Sequence, residues 1–104
     1  MSPEQQHQLL TVDDDDTVRE SIKLFMEESG YAVLDAPDGE TAFSYISQHG
    51  VDCVLLDLRM PDMDGLTILQ KLRNEWPSVP VIIVSGQGDM EDAVYSMRLG
   101  AWDY

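Results

Sequence analysis

Aspartates that directly follow apolar runs are the residues of this 104-residue sequence best suited to chemistry. Asp57 comes at once after the run from Cys53 to Leu56, and Pro61 and Gly65 mark a loop behind it. Such a run, rich in branched residues, is typical of a strand buried on both faces of a parallel sheet. The carboxyl ends of such strands are where α/β proteins place ligands and chemistry, although aspartate is also a common turn residue.

A second acidic group follows the first apolar run of the chain, where four aspartates stand in succession. The first and third strands are neighbours in a doubly wound sheet of this size, so we expect Asp13 and Asp14 to lie beside Asp57. Three carboxylates at one point repel each other unless protons or a cation intervene. Mg²⁺ takes one or two carboxylates and keeps several waters, so a magnesium site is predicted. Asp15 and Asp16 fit a solvated acidic turn better.

A calcium-binding EF-hand loop is excluded for this acidic run. Counting from Asp13, the sixth residue is Val18 where glycine is needed, and the twelfth is Leu24 where glutamate is needed. A carboxylate beside Mg²⁺ can instead attack phosphorus and form an aspartyl phosphate, with Asp57 as the candidate nucleophile. Ser85 follows a later apolar run and could donate its hydroxyl to such a phosphoryl group, although alone it would be an ordinary turn residue.

Short strands and helices alternate along the chain, after a polar lead at residues 1–8 that we expect to be disordered. Strands are predicted at residues 9–12, 31–36, 51–56 and 81–84, and a fifth begins at residues 102–104. This alternation predicts an α/β fold, a doubly wound parallel sheet with helices on both faces.

The helices that connect these strands are predicted from their caps and apolar spacing. Thr17 and Glu20 form a capping box for the first helix, with Asp16 as the rival cap, and Gly30 ends that helix as a left-handed cap. The inward faces of the first three helices are predicted to be Val18, Ile22, Phe25 and Met26; Ala42, Phe43 and Ile46; and Leu66, Leu69 and Leu72. A fourth helix is predicted at about residues 90–99, with Ala93, Val94 and Met97 inward.

The composition of the chain excludes some classes of binding partner. The chain carries 20 acidic and 6 basic residues, for a net charge of −14, and 43% of its residues are apolar. One domain is expected, with no direct binding to nucleic acid and none to anionic membranes.

Cys53 is the only cysteine and lies in an apolar run, which fits a reducing compartment without disulfides. No run is long enough to span a membrane and no signal peptide is evident, so a cytoplasmic location is predicted.

Four short blocks follow one another in the order Val12-Asp13-Asp14; Leu55-Leu56-Asp57 with Met60-Pro61 and Asp64-Gly65; Val84-Ser85-Gly86; and Gly100-Ala101 ahead of Tyr104. In these blocks and their spacing the chain resembles a receiver domain of bacterial two-component response regulators, over residues 9–104. The resemblance implies a flavodoxin-like parallel sheet with strand order 2-1-3-4-5, and a phosphorylation-activated switch that is not an enzyme, since it catalyses only its own phosphorylation and dephosphorylation.

The resemblance also implies a role for each site residue. Asp57 would be the phosphoacceptor, loaded by a sensor histidine kinase or a small phosphodonor. Mg²⁺ would be held by Asp14, by Asp57 and by the backbone carbonyl of Arg59, with Asp13 acting largely through water. Ser85 would sense the phosphoryl group, and the aromatic ring of Tyr104 would swing inward when Ser85 moves.

The resemblance leaves the end of the domain and its output open. The family's Lys-Pro pair would fall three residues after Tyr104, so most of strand 5 and helix 5 is expected to be missing from this sequence. An open sheet edge there would favour association, including a homodimer. The output domain or effector is unknown; segments near Ser85 and Arg98 are similar to receivers fused to serine/threonine phosphatase-type domains.

Two other classes of protein compete with this interpretation. A Mg²⁺-dependent phosphatase or phosphotransferase would be expected to hold a second carboxylate two residues after its nucleophile, where this chain has Arg59, and would need a substrate-covering cap. A flavin-binding module of the same topology needs a neutral phosphate loop after the first strand, where this chain carries aspartates.

Overall fold

The computed structural model describes residues 7–60 and 63–84, which form a parallel β-sheet with its connecting helices. The strands are β1 (Gln8–Val12), β2 (Ala32–Ala36), β3 (Cys53–Leu56), β4 (Arg59–Met60), β5 (Met63–Asp64) and β6 (Val81–Ile83), and the helices are α1 (Asp16–Glu28), α2 (Gly39–His49) and α3 (Gly65–Glu75). The main sheet has the parallel order β2-β1-β3-β6, and β4 and β5 form a separate antiparallel ribbon. Strand β6 is the fourth predicted strand, so the predicted order 2-1-3-4 of the first four strands is confirmed. The predicted fifth strand and fourth helix lie outside the described residues.

The central strands send alternate side chains to opposite faces of the sheet, as strand geometry requires. One face carries most of the buried core and packs against α2 and α3. Leu55 of β3 and Ile82 of β6 point to the other face and line a groove with α1. The core residues are Leu10, Val12, Ala36, Ala42, Ile46, Val54, Leu56, Leu58, Ile68, Leu69, Leu72, Val81 and Ile83. Among the described residues, no helix is long and apolar enough to cross a membrane.

The predicted inward faces are buried in α2 and α3, whereas in α1 the predicted face lies towards the sheet but is not buried. Ala42, Ile46, Leu69 and Leu72 are buried, with Phe43 and Leu66 packed partly against the core. In α1, by contrast, the structure describes every residue and buries none, and Val18 and Phe25 are 41% and 66% exposed. Ile22 and Met26 line an open apolar groove of about 540 Å³ with Leu55, Ile82 and Val84. The apolar spacing correctly marked the side of α1 that faces the sheet, but among the described residues nothing covers that side fully.

Asp15 caps α1, so the predicted caps at Thr17 and Asp16 are wrong. The Asp15 carboxylate accepts hydrogen bonds from the backbone N–H groups of Thr17, at 2.9 Å, and Val18, at 3.2 Å. Aspartate is a favoured N-cap residue, and four successive aspartates offered several equivalent starts. The position is decided by Asp13, whose side chain accepts the N–H of Asp15 at 2.9 Å and so forms the turn before the helix.

The boundaries of the other elements differ from prediction by one or two residues. Gln8, which was assigned to the disordered lead, is the first residue of β1, and its N–H donates to the Asp52 carboxylate at 2.7 Å. Strand β2 begins at Ala32, one residue late, and β3 begins at Cys53, two residues late. Gly30 and Gly50, with φ of 99° and 71°, terminate α1 and α2 in the left-handed conformation that glycine adopts at no steric cost.

Candidate metal and phosphoacceptor site

Asp13 and Asp57 are held at the carboxyl edge of the sheet by backbone hydrogen bonds that continue the strand pairing. Val12 and Leu56 are paired residues of the neighbouring strands β1 and β3, so the residues that follow them emerge side by side. The N–H of Asp57 donates to the carbonyl of Val12 at 3.0 Å, and the N–H of Asp13 donates to the carbonyl of Ala36 at 3.1 Å. The sheet itself therefore positions both carboxylates.

Three carboxylates converge at this edge. Oxygen atoms of Asp13, Asp14 and Asp57 all lie within 4.8 Å of one another. Asp13 is buried, Asp57 is half-buried and Asp14 is exposed, so the cluster is closed on the protein side and open to water on the other. A hard oxygen donor set with an open side fits Mg²⁺, which retains several waters when it binds to protein. The three residues therefore lie together, as the sequence predicts.

Burial, and to a smaller extent repulsion within the cluster, perturbs the pKa of Asp13, the most buried of the three carboxylates. Burial raises the pKa of Asp13 above its ordinary value, and the negative charges of Asp57 and Asp14 raise it further. The N–H of Asp15, which donates to the Asp13 carboxylate, opposes this rise. The charged form of Asp13 is thus disfavoured in the protein alone, and a bound cation would relieve that penalty.

The other predicted site residues are Arg59, Ser85 and Tyr104. Arg59 begins β4, two residues after Asp57, and pairs with Asp64 in the ribbon. Its backbone carbonyl as a metal ligand stays a prediction. Ser85 and Tyr104 lie outside the described residues. Val84, which precedes Ser85, donates its N–H to the carbonyl of Leu56 at 2.9 Å, so β6 ends beside the strand that carries Asp57.

Two residues at this edge were not assigned a site role from the sequence. Arg19 of α1 donates to the backbone carbonyl of Asp13 at 2.8 Å, and Gly65 at the start of α3 approaches the backbone of Asp57 and Leu58 closely. The sequence marks Gly65 as a loop residue and as part of the Asp64-Gly65 block, without indicating this contact, and an arginine on an amphipathic helix carries no sequence signal of its own. Both contacts depend on how separate elements pack together.

A family model for the response regulator receiver domain matches residues 9–104. The chain belongs to this family. Members of the receiver domain family are signalling switches of two-component systems. In this chain the three converging carboxylates lie at the carboxyl edge of the sheet. The predicted family and the flavodoxin-like fold are thereby confirmed.

Similar proteins include whole response regulators as well as isolated receivers. Response regulator GtcR of Aneurinibacillus migulanus is 40% identical over 96 residues, which cover 92% of this chain and 39% of that protein. Transcriptional regulatory protein CseB of Streptomyces avermitilis is 39% identical over 101 residues, which cover 97% of this chain and 42% of that protein. The chain therefore spans about two fifths of the length of these curated relatives.

Solved receiver structures superimpose closely on the chain. A CheY-like receiver domain protein of Methanospirillum hungatei matches with a TM-score of 0.88 and 31% identity, covering 95% of this chain and 79% of that one. The BeF3-activated N-terminal receiver domain of Klebsiella pneumoniae RstA matches with a TM-score of 0.87 and 28% identity, covering 94% and 83%.

Asp13→Asn tests the repulsion at the acidic edge. The amide keeps the oxygen that accepts the N–H of Asp15 but removes one buried negative charge, so we expect the metal-free chain to melt several degrees higher, since about 1 kcal/mol corresponds to ~4–8 °C in a domain of this size. The rise in melting temperature on adding Mg²⁺ should shrink, because one carboxylate of the cluster is lost. Calorimetry with and without Mg²⁺ measures both effects.

Glu28→Gln is the matched control for the Asp13 variant. It removes one negative charge from an exposed residue at the end of α1, and so reports the effect of the net charge together with the gain from removing an anion near a helix C-terminus. An equal rise in melting temperature in both variants would contradict local repulsion at the acidic edge.

Proposed function

We propose that this chain is a phosphorylation-activated switch in which Asp57 accepts a phosphoryl group in a Mg²⁺-dependent reaction. The observation that supports the proposal best is the convergence of Asp13, Asp14 and Asp57, with carboxylate oxygens within 4.8 Å of one another at the mouth of β3. Asp57 is half-buried there, so part of the residue is accessible from solvent.

Each member of the cluster has a separate role in the proposed reaction. Asp14 and Asp57 would hold Mg²⁺ directly together with the backbone carbonyl of Arg59, and Asp13 would contact it through water. A cation bound there would supply neutralisation of the charge on the phosphoryl oxygens during transfer. A carboxylate oxygen of Asp57 attacks phosphorus while the bond to the donor's leaving group breaks, which leaves an acyl phosphate on Asp57. Ser85 then donates its hydroxyl to the phosphoryl group, and Tyr104 follows it inward.

The partners follow from the same proposal. A sensor histidine kinase supplies the phosphoryl group, with acetyl phosphate as a small-molecule substitute. Since the chain spans about two fifths of GtcR and CseB, an output domain or a separate effector carries the response. CseB is a transcriptional regulatory protein, and this similarity favours a transcriptional output over the serine/threonine phosphatase-type output. A cytoplasmic location and a homodimer belong to the proposal as well.

The proposal is tested by phosphorylating, with acetyl phosphate, a version of the chain extended through the expected Lys-Pro pair of the fifth strand, beside the 104-residue chain. In Mg²⁺ we expect the intact mass of the extended chain to increase by one phosphoryl group, and the modification to be lost on treatment with hydroxylamine, which cleaves acyl phosphates. In excess EDTA the mass should stay unchanged. An extended chain whose mass is unaffected by Mg²⁺ and phosphodonor, or whose label resists hydroxylamine, would contradict an aspartyl phosphate.

A further inference from the structure

Arg19 joins three elements of the chain beside the acidic edge. Its side chain is only 12% exposed, although no residue of α1 is fully buried. Nε donates to the carboxylate of Asp35 on β2 at 2.9 Å, Nη1 donates to the backbone carbonyl of Asp13 at 2.8 Å, and Nη2 donates to the carboxylate of Asp16 at 2.5 Å. The planar guanidinium thus has a separate partner for each of its three nitrogens.

The contact with Asp13 completes the immobilisation of that residue. The N–H of Asp13 donates to the carbonyl of Ala36, and its side chain accepts the N–H of Asp15. Arg19 satisfies the carbonyl of Asp13, so both backbone groups and the side chain are held. The carbonyl of Asp13 and the N–H of Asp14 belong to one planar peptide group. A hydrogen bond that fixes the orientation of the Asp13 carbonyl therefore also fixes the orientation of the Asp14 N–H, and with it the position of the Asp14 backbone.

Asp14 depends on this peptide because packing does not hold it. It is exposed, and yet its carboxylate must lie within reach of Asp57 for the two to share a cation. An exposed side chain samples several rotamers, and only a fixed backbone keeps those rotamers near the site.

We propose that Arg19 is a positioning residue for the cation site: it holds the Asp13–Asp14 peptide so that the carboxylate of Asp14 faces Asp57. The proposal rests on the proposed function, because it takes the acidic edge to bind Mg²⁺. Arg19 itself contacts neither the cation nor the phosphoryl group.

Charge and position make opposite predictions for removal of Arg19. The guanidinium is positive and close to the cluster, so its field opposes a second cation. If charge were its only influence, Arg19→Gln would bind Mg²⁺ as tightly as the wild type or more tightly. If Arg19 positions the Asp13–Asp14 peptide, the same substitution weakens binding, and loss of an outer partner of this kind typically lowers metal affinity about 10–100-fold.

Lys23 supplies the matched control. It lies one turn further along α1, and its Nζ is 3.6 Å from the carboxylate of Asp35, the residue that Arg19 also pairs with. Lys23→Gln therefore removes the same charge and a contact with the same carboxylate, while the hydrogen bond from Arg19 to the Asp13 carbonyl is kept.

The experiment follows the backbone amide signals of Asp14 and Asp57 by NMR during titration of the whole chain with MgCl₂. In the absence of Mg²⁺ we expect Arg19→Gln to displace the Asp14 amide signal and to speed hydrogen exchange at Asp13, and Lys23→Gln to leave both close to wild type. On titration, the dissociation constant for Mg²⁺ should rise at least about tenfold in Arg19→Gln and stay near the wild-type value in Lys23→Gln.

Arg19→Lys decides the matter if Arg19→Gln does not fold. Lysine keeps the charge and the pairing with Asp35, but its single ammonium lacks the fork that also reaches the carbonyl of Asp13. Weakened Mg²⁺ binding in this variant supports positioning. Unchanged or tighter binding in the folded variants overturns the role of Arg19 and leaves the proposed function intact. A wild-type chain without Mg²⁺-dependent shifts overturns the metal site of the proposed function, and the role of Arg19 falls with it.

Discussion

The Asp57→Asn chain is expected to gain no phosphoryl group from acetyl phosphate under conditions in which the wild-type chain gains one. Asparagine has nearly the same shape as aspartate, but its amide is not a nucleophile towards phosphorus. The fold should persist, because Asp57 is fixed to β1 through its backbone N–H, which donates to the carbonyl of Val12. The intact mass after incubation in Mg²⁺ and acetyl phosphate measures the effect, and circular dichroism confirms the fold.

Asp52→Asn is the control for the loss of labelling. Asp52 precedes β3 as Asp57 follows it, so the two aspartates lie at opposite ends of the same strand. Asp52 is exposed, and its side chain accepts the N–H of Gln8, a hydrogen bond that an asparagine oxygen can also accept. This variant should be labelled at the wild-type level. Labelling of Asp57→Asn that maps by peptide mass to Asp13 or Asp14 would remove Asp57 from its role as phosphoacceptor.

The sheet was predictable because its central strands are buried on both faces and so read as unbroken apolar runs. Val54 and Leu56 are fully buried on one face and Leu55 is 7% exposed on the other. Such a run identifies the strand and also marks its end, where the first polar residue must emerge. The acidic cluster was predictable for the same reason, since Asp13 and Asp57 are each the first polar residue after a buried run.

Helix α1 shows where periodicity alone is insufficient. The spacing of Ile22 and Met26 correctly predicts the side that faces the sheet, but the depth of burial depends on what else packs there. Phe25 is 66% exposed among the described residues, which no property of the helix sequence foretells. The cap at Asp15 was missed because neighbouring aspartates have the same local preference, and a hydrogen bond from the preceding turn chooses between them.

The supporting residues of the site could not be predicted because their contacts are between elements. Arg19 and Asp35 are 16 residues apart in the chain, and the packing of α1 against β2 brings them within a hydrogen bond of each other. The ribbon of β4 and β5 was also missed, because two-residue strands are too short to show any alternation of polar and apolar residues.

Gly65→Ala should destabilise the chain and also weaken the site, because α3 starts against the backbone that carries Asp57. A Cβ atom at Gly65 would lie 2.5 Å from Cα of Leu58, 2.8 Å from the carbonyl oxygen of Asp57 and 2.9 Å from that of Leu58. All three are backbone atoms, so no side-chain rotation relieves the overlap. Either α3 or the Asp57–Leu58 segment must move, at a cost of roughly 3 kcal/mol in the free energy of unfolding.

Gly50→Ala separates the effect on the site from the effect on stability. A Cβ at Gly50 meets nothing within 4 Å, but its φ of 71° is unfavourable for alanine, so this variant loses about 1–2 kcal/mol through its backbone alone. Urea unfolding and Mg²⁺ titration of both variants give the two quantities. We expect Gly50→Ala to bind Mg²⁺ as the wild type does and Gly65→Ala to bind it more weakly, because a shift at Asp57 moves one carboxylate away from the other two. If Gly65→Ala lost stability but kept its Mg²⁺ affinity, α3 would be the element that gives way, and the close approach of Gly65 would serve packing of the helix rather than placement of Asp57.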